Sequence, residues 1–258
     1  MSVVTGFSAG TPSWFDLMSP DLEGARAFYK ALFGWDYHIN GPEMGHYTIA
    51  LKGGQPAAGI GPRPPDAAVP SVWSVYFDTA DIQASLDAVV ANGGKVMFGP
   101  HVVGDTGSMA MAFDPTGAAF GLWQAGQHKG AGVVNQHGAM TWCEVYSRSA
   151  EAARDFYAAV LGLGHKAMEG MAYWTLHNGD PAVAGVMQIT DEWPESVPAH
   201  WRPYFAVDNV DDALDIVKGN RGAVTMPAVD TPYGRMAAVE DPFGATFSII
   251  QLPSQPAA

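Results

Sequence analysis

Apolar and polar residues alternate along most of this chain in short runs, and helical periods interrupt them at regular places. Alternation predicts a strand over 14–19, followed by a turn at Pro20-Asp21. Phe28, Leu32 and Phe33 then fall at helical spacing, and Gly34 stops the helix in the manner of a left-handed C-cap. Strands are predicted at 35–39, 47–51 and 57–60. A Pro-rich loop over 62–70 leads to a second pass: a strand at 72–78, a helix over 82–92 closed by Gly93-Gly94, and strands at 96–98, 109–113 and 118–124. Asp114-Pro115-Thr116-Gly117 suits a type I turn before the last strand, with Asp first, Pro second and Gly fourth.

The same order of elements then recurs at a spacing of about 127–128 residues. Trp14-Phe15-Asp16-Leu17 returns as Trp142-Cys143-Glu144-Val145. Ala25-Arg26-Ala27-Phe28-Tyr29 returns as Ala153-Arg154-Asp155-Phe156-Tyr157. Ala58-Gly59-Ile60 matches Ala184-Gly185-Val186, and Trp73 through Phe77 matches Trp201 through Phe205. Asp114-Pro115-Thr116-Gly117 matches Asp241-Pro242-Phe243-Gly244, and Gln124 matches Gln251. The chain is a tandem duplication, divided as 1–126 and 127–258, with a Gly-rich join over about 125–139. Each half reads as strand–helix–three strands, twice over, which is α+β architecture.

These paired βαβββ modules resemble the vicinal oxygen chelate superfamily of glyoxalase I, bleomycin-resistance proteins and extradiol dioxygenases. The helix end Ala-Phe-Tyr before Leu-Gly and the Asp-Pro-x-Gly-Ala close carry the likeness over almost the whole chain. The resemblance implies that each half folds two modules into one cupped mixed sheet, with helices outside and a ligand site in the cup. It also implies, for members that are metal enzymes, a His on the first strand, a His or Gln on the fifth and a Glu on the last. Carried over, those places fall on Trp14 and Trp142, at about Ser74 and Arg202, and on Gly121 and Ser248. None is a good ligand for a divalent cation, so no metal and no other cofactor is expected.

Strand side chains alternate faces, so the helix-covered face takes the apolar set. Phe15, Leu17, Val75, Phe77, Phe120 and Leu122 are assigned outward, with Cys143, Val145, Pro203 and Phe205 in the second half. Trp14, Asp16, Met18, Ser74, Tyr76 and Trp123 are then expected to line the first cup. Trp142, Glu144, Tyr146, His200, Arg202, Tyr204 and Ser248 are expected to line the second, and small residues on the last strands to leave room for a ligand.

Asp16 and Glu144 are the candidate acids or bases. Desolvation raises a carboxyl's pKa toward neutrality, and an Arg202–Glu144 ion pair would hold Glu144 ionised, so Asp16 is the one expected to rise. Tyr76 and Tyr204 are the candidate donors to a developing oxyanion. Trp73 and Trp201 are expected to pack outward or between the halves. Among the eight histidines only His200 falls on an expected cup face.

Composition narrows the function classes. Apolar residues make up 48% and charged residues 15%, enough for real cores. Thirteen Lys+Arg against 26 Asp+Glu leave a net charge of -13, which argues against nucleic acid and anionic membrane surfaces as partners. No phosphate-binding Gly motif and no Gly-x-Ser-x-Gly elbow occurs, and Cys143 is the only cysteine. With no apolar run of membrane length and no signal-like start, a cytoplasmic monomer or homodimer acting on a small molecule is expected. Two classes remain open. One is a metal-independent lyase or isomerase acting on a small carbonyl compound by proton transfer. The other is a binding or sequestration protein like the bleomycin-resistance branch. A metal-dependent glyoxalase or dioxygenase with unusual ligands, Glu144 and His200 among them, is a lesser alternative.

Overall fold

The computed structural model describes residues 3–64 and 71–253, so the expected loop 62–70 lies outside them from residue 65 on. The first half runs β1 (Pro12–Ser19), α1 (Leu22–Phe33), β2 (Asp36–Ile39), β3 (Thr48–Lys52), β4 (Gln55–Pro62), β5 (Val72–Asp78), α2 (Ile82–Ala91), β6 (Lys95–Val103), β7 (Gly107–Phe113) and β8 (Ala119–Ala125). The second repeats it as β9 (Met140–Ser147), α3 (Ala150–Leu161), β10 (Gly164–Ala167), β11 (Tyr173–His177), β12 (Ala182–Gln188), β13 (His200–Ala206), α4 (Val210–Gly219), β14 (Ala223–Thr231), β15 (Gly234–Glu240) and β16 (Thr246–Gln251). Each half forms one eight-stranded sheet, in the orders β2-β3-β4-β1-β5-β8-β7-β6 and β10-β11-β12-β9-β13-β16-β15-β14.

Local chemistry sets the helix ends. The Asp21 carboxylate accepts a hydrogen bond from the Gly24 N–H at 2.9 Å and starts α1. Gly34 ends it at φ 66°, where a Cβ would be strained. Asn209 caps α4 by accepting from the N–H groups of Asp211 and Asp212. The main departure from expectation is β6, which extends to Val103 instead of stopping at 98. Gly99-Pro100 looks like a stop in sequence, but β6 is an edge strand, where a missing N–H costs no ladder bond. Two irregularities in its pairing with β7 absorb the offset.

The helix-covered faces of the two sheets pack against each other. Phe15 meets Phe205 with ring centroids 5.7 Å apart, and Phe77 meets Trp201 at 5.1 Å. The helices lie at this junction, α1 against α4 and α2 against α3. They are thus outside the cups, as expected, each with one face against the junction and the other exposed. The outward-assigned Phe15, Leu17, Val75, Phe77, Phe120, Leu122, Cys143, Val145 and Phe205 are all fully buried here. Burying each large apolar side chain contributes about 1.5–3 kcal/mol.

Polar groups cross this core in one pattern. The Trp73 indole donates to the Tyr29 hydroxyl at 3.0 Å, and Tyr29 donates to Asp241 of the other half at 3.0 Å. In the second half Trp201 donates to Tyr157 at 2.7 Å, and Tyr157 lies beside Asp114 of the first half. Trp73 and Trp201 therefore sit at the interface between the halves. The Gly-rich join is not a free linker: Ala131 and Gly132 donate backbone bonds to Ser13 and Pro56, and the Trp35 indole donates to the Gly138 carbonyl at 2.7 Å.

Tyr29→Phe leaves the buried Asp241 without its hydroxyl donor and the Trp73 indole without its acceptor. A loss of about 1–3 kcal/mol is expected in urea denaturation, with the fold retained.

Candidate functional site

Because the outer faces meet in the core, the two cups open on opposite sides of the molecule. Register places their walls. On the first, Trp14 lies opposite Tyr76 and Asp16 opposite Ser74, while Tyr76 pairs with Gly121 on β8. On the second, Trp142 lies opposite Tyr204, Glu144 opposite Arg202, Tyr146 opposite His200, and Tyr204 beside Ser248. Register thus puts Trp14, Asp16, Ser74 and Tyr76 on one face of the first sheet, and Trp142, Glu144, Tyr146, His200, Arg202, Tyr204 and Ser248 on one face of the second.

In the first cup the Trp14 indole donates to the Tyr47 hydroxyl at 3.0 Å, and Tyr47 donates to Asp16 Oδ2 at 3.3 Å. Asp16 is half-buried as a residue, but its Oδ1 is sealed from solvent and has no hydrogen-bond partner. Burial pushes the carboxyl up to about 7, against the Tyr47 hydrogen bond and the nearby Tyr76 hydroxyl, which favour its ionised form. His128 closes one side, its ring 4.5 Å from Trp14 and 5.6 Å from Trp123, and burial lowers its pKa. A cavity of about 270 Å³ adjoins this cup between Phe7, Asp78, Gln124 and Lys129, and burial raises Asp78 to about 6.

The second cup has diverged. Tyr146 and Tyr204 both donate to Glu144 Oε1, and the Trp142 indole donates to Tyr173 at 3.1 Å. The expected Arg202–Glu144 ion pair is not formed. Arg202 instead lies 4.5 Å over the Tyr146 ring, while Glu144 Oε1 accepts from the two tyrosine hydroxyls. His200 stacks on Tyr146 with centroids 5.1 Å apart, and its Nδ1 faces the Pro198 carbonyl at 2.9 Å, so it is turned away from Glu144.

One further expectation changes. Small residues do not leave open space: the Tyr76 ring lies where a Cβ on Gly121 would go, and the Tyr47 and Tyr173 hydroxyls do the same over Gly59 and Gly185. Sequence reasoning also missed Tyr47, Tyr173 and His128. The two tyrosines carry a readable signal, since they recur at the same local offset as Ala58-Gly59-Ile60 and Ala184-Gly185-Val186. His128 had none, because it comes from the join.

The row of side chains at the family's metal positions reads Trp14, Tyr76 and Gly121 in one half, and Trp142, Tyr204 and Ser248 in the other. Tyr76 and Tyr204, two residues beyond Ser74 and Arg202, take the fifth-strand place; a shift of two keeps the same face. An indole, a phenol and a glycine or serine do not suit a divalent cation. Among the described residues no group of three or more His, Cys, Asp or Glu side chains gathers to hold one. No described helix is long and apolar enough to cross a membrane.

Asp16 gives a pH signature with a definite sign. Its carboxyl is protonated in the folded state up to about pH 7 but ionises near 3.8 when unfolded. Raising the pH through that window therefore favours unfolding. Stability should fall from about pH 4 to about pH 7 by this contribution, and Asp16→Asn should remove that part of the slope. Carbon-13 NMR of the Asp16 carboxyl should show a midpoint near 7, moved higher by Tyr47→Phe; a midpoint near 3.8 contradicts the assignment.

A family profile described as the Glyoxalase/Bleomycin resistance protein/Dioxygenase superfamily matches residues 11–122 and again 139–249. A Mycobacterium tuberculosis protein named "Putative glyoxylase CFP32" is 41% identical over 253 residues, covering 95% of this chain and 96% of that protein. "Anthracycline biosynthesis protein DnrV" of Streptomyces peucetius is 36% identical over 265 residues, covering 96% of each. Among solved structures, the Mn(II)-bound glyoxalase from Novosphingobium aromaticivorans superposes with a TM-score of 0.65 at 15% identity, covering 94% of this chain and 82% of that one. The 2,3-dioxygenase LapB from Pseudomonas sp. KL28 gives 0.63 at 16% identity, covering 96% and 93%. These two share the fold. With both halves matched and relatives aligned along nearly their whole length, the chain belongs to the glyoxalase/bleomycin resistance protein/dioxygenase superfamily as a tandem two-domain member.

Proposed function

We propose that the first cup is an acid/base site acting on a small carbonyl compound without a metal, with Asp16 as the proton carrier. The carrying observation is the Asp16 carboxyl, with a buried unpaired oxygen and a pKa pushed up to about 7. A carboxyl poised there is a competent base on one side of neutrality and a competent acid on the other. As carboxylate it removes a proton from the carbon next to the substrate carbonyl. The C–H electron pair moves into the carbon skeleton and the carbonyl pair moves onto oxygen. Tyr76, or Tyr47 released from Asp16, donates to that oxyanion. Return of the proton from Asp16 to a different carbon gives an isomer; expulsion of a leaving group from the β-carbon gives a lyase. Both outcomes balance without a redox partner.

Small-molecule chemistry is also the common ground of relatives named for glyoxylase activity and for anthracycline biosynthesis. We assign Glu144 a structural role, because two hydroxyls already bond its Oε1. One observation favours sequestration instead: Tyr76 fills the space above Gly121, so a ligand has to move a ring to reach Asp16.

Hydrogen–deuterium exchange at the α-carbon of small aryl and cyclic ketones, followed by NMR in D2O, separates the two readings. The enzyme reading expects exchange that rises with pH through about 7 and falls about 100-fold or more in Asp16→Asn. In that variant the ligand-induced shift of the Trp14 indole resonance is retained. A Trp14 shift with no exchange supports sequestration. Exchange lost on chelation and restored by Mn(II) or Zn(II) overturns the metal-free part.

A further inference from the structure

Where β5 gives way to α2, the segment before β1 and the join between the halves close over the end of the first sheet and leave the cavity of about 270 Å³. Its walls are Gly6 and Phe7 before β1, Asp78 at the end of β5, and Gln124 and Lys129 at and after the end of β8. It lies apart from the acid/base site. Asp78 is four residues along β5 from Ser74, the partner of Asp16 in register, or about 13 Å at the rise of a strand.

Asp78 is only 9% exposed, yet no N–H or O–H among the described residues donates to its carboxyl. Burial raises its pKa to about 6 against the pull of the Lys129 ammonium, so it is ionised at neutral pH. Lys129 is exposed and forms no ion pair among the described residues. A carboxylate withdrawn from water without a donor is destabilising, and the fold does not require one here. The second half repeats the hollow as a cavity of about 180 Å³ beside His137, Val207 and Gln251, and there Ala206 stands at the place of Asp78. The two glutamines share one structural task. Gln124 Oε1 accepts from the Ile82 N–H at 2.9 Å and Gln251 Oε1 from the Val210 N–H at 3.3 Å, each at the start of a helix. That bond fixes the Gln124 amide and leaves its Nε2 hydrogens unbonded among the described residues. The Thr79 hydroxyl, by contrast, is already engaged with Asp81 and Ser85. The first cavity therefore presents a carboxylate that lacks a donor, and an ammonium and an amide N–H that lack acceptors.

We propose that this cavity is a binding site for a small zwitterion of the α-amino-acid class, its ammonium on Asp78 and its carboxylate on Lys129 and Gln124. A molecule carrying both charges satisfies both walls, whereas a lone anion is repelled by Asp78 and a lone cation by Lys129. The cavity is smaller than the roughly 300–1,000 Å³ that drug-sized ligands occupy, which limits the ligand to a small amino acid. A zwitterion is also neutral overall, so the net charge of -13 does not oppose its approach.

L-Alanine is the probe, and acetate and ethylamine are its two halves. The carbon-13 resonance of the Asp78 carboxyl, assigned by its loss in Asp78→Asn, and the side-chain amide of Gln124 report this cavity, while the Trp14 indole reports the first cup. At about pH 8, above the Asp78 pKa, alanine should shift the first two saturably and leave Trp14 unmoved. Ethylamine should bind at least 3-fold more weakly, and acetate should not bind. Asp78→Asn should weaken alanine at least 10-fold, read on the Gln124 amide, and Lys129→Met about 3-fold, because that ammonium is exposed. Should Asp78→Asn fail to fold, Lys129→Glu on the exposed wall should abolish alanine binding while ethylamine still binds. Ethylamine or acetate binding as tightly as alanine, unchanged affinity in Asp78→Asn or Lys129→Glu, or no saturable shift overturns the proposal. None of these readings depends on turnover at Asp16, so this site and the acid/base reading fail separately.

Discussion

The hydroxyls of Tyr29 and Tyr157 sit where an indole from their own half meets a turn aspartate of the other half. Asp241 is almost fully buried, and besides Tyr29 it accepts backbone bonds from Phe243 and Ala245. Leaving any of these groups unpaired in the core is costly, so the pattern ties the position of one sheet to that of the other. Around it Phe15, Phe77, Phe205 and Phe247 supply the apolar burial. A hydrophobic core alone would tolerate sliding; a core crossed by directional hydrogen bonds is held to one arrangement.

That arrangement decides the functional geometry. With the outer faces consumed by the interface, each concave face is left to itself on its own side of the molecule. The tandem repeat therefore creates two chemical environments free to diverge. Trp14–Tyr47–Asp16 and Trp142–Tyr173–Glu144 show the common ancestry. Divergence came through neighbours: Tyr146 where the first half has Met18, Arg202 where it has Ser74, Ser248 where it has Gly121. Of these, Tyr146 gives Glu144 a second hydroxyl partner beside Tyr204, the counterpart of Tyr76, whereas Asp16 keeps one unpaired oxygen. Burial with few hydrogen bonds to offset it moves the Asp16 pKa toward neutrality.

Much of this was legible in the residues. Duplication, element order and the inward or outward sense of nearly every strand residue followed from the repeat and from period-two alternation, because a strand with one buried face cannot slip by one position without exposing Phe or Leu. The upward pKa shift of Asp16 by desolvation was also legible, whereas the Arg202–Glu144 ion pair was not to be had from register: Arg202 faces Glu144 along the ladder but lies over the Tyr146 ring. Register constrains Cα positions, whereas a long side chain picks its partner from everything within reach, here the Tyr146 ring for Arg202 and the Tyr146 and Tyr204 hydroxyls for Glu144.

The sequence by itself therefore determined the tandem α+β fold, the two cups and the backbone places of their carboxylates, because those depend on local periodicity and repetition. Only the tertiary structure decided that the helices of one half pack on those of the other at the junction, that Tyr76 and Tyr47 fill the space over Gly121 and Gly59, and that His128 reaches Trp14 from the join. Each of these depends on contacts between segments far apart in the chain. Such contacts are set by volume and hydrogen-bond satisfaction in three dimensions, which no linear pattern records.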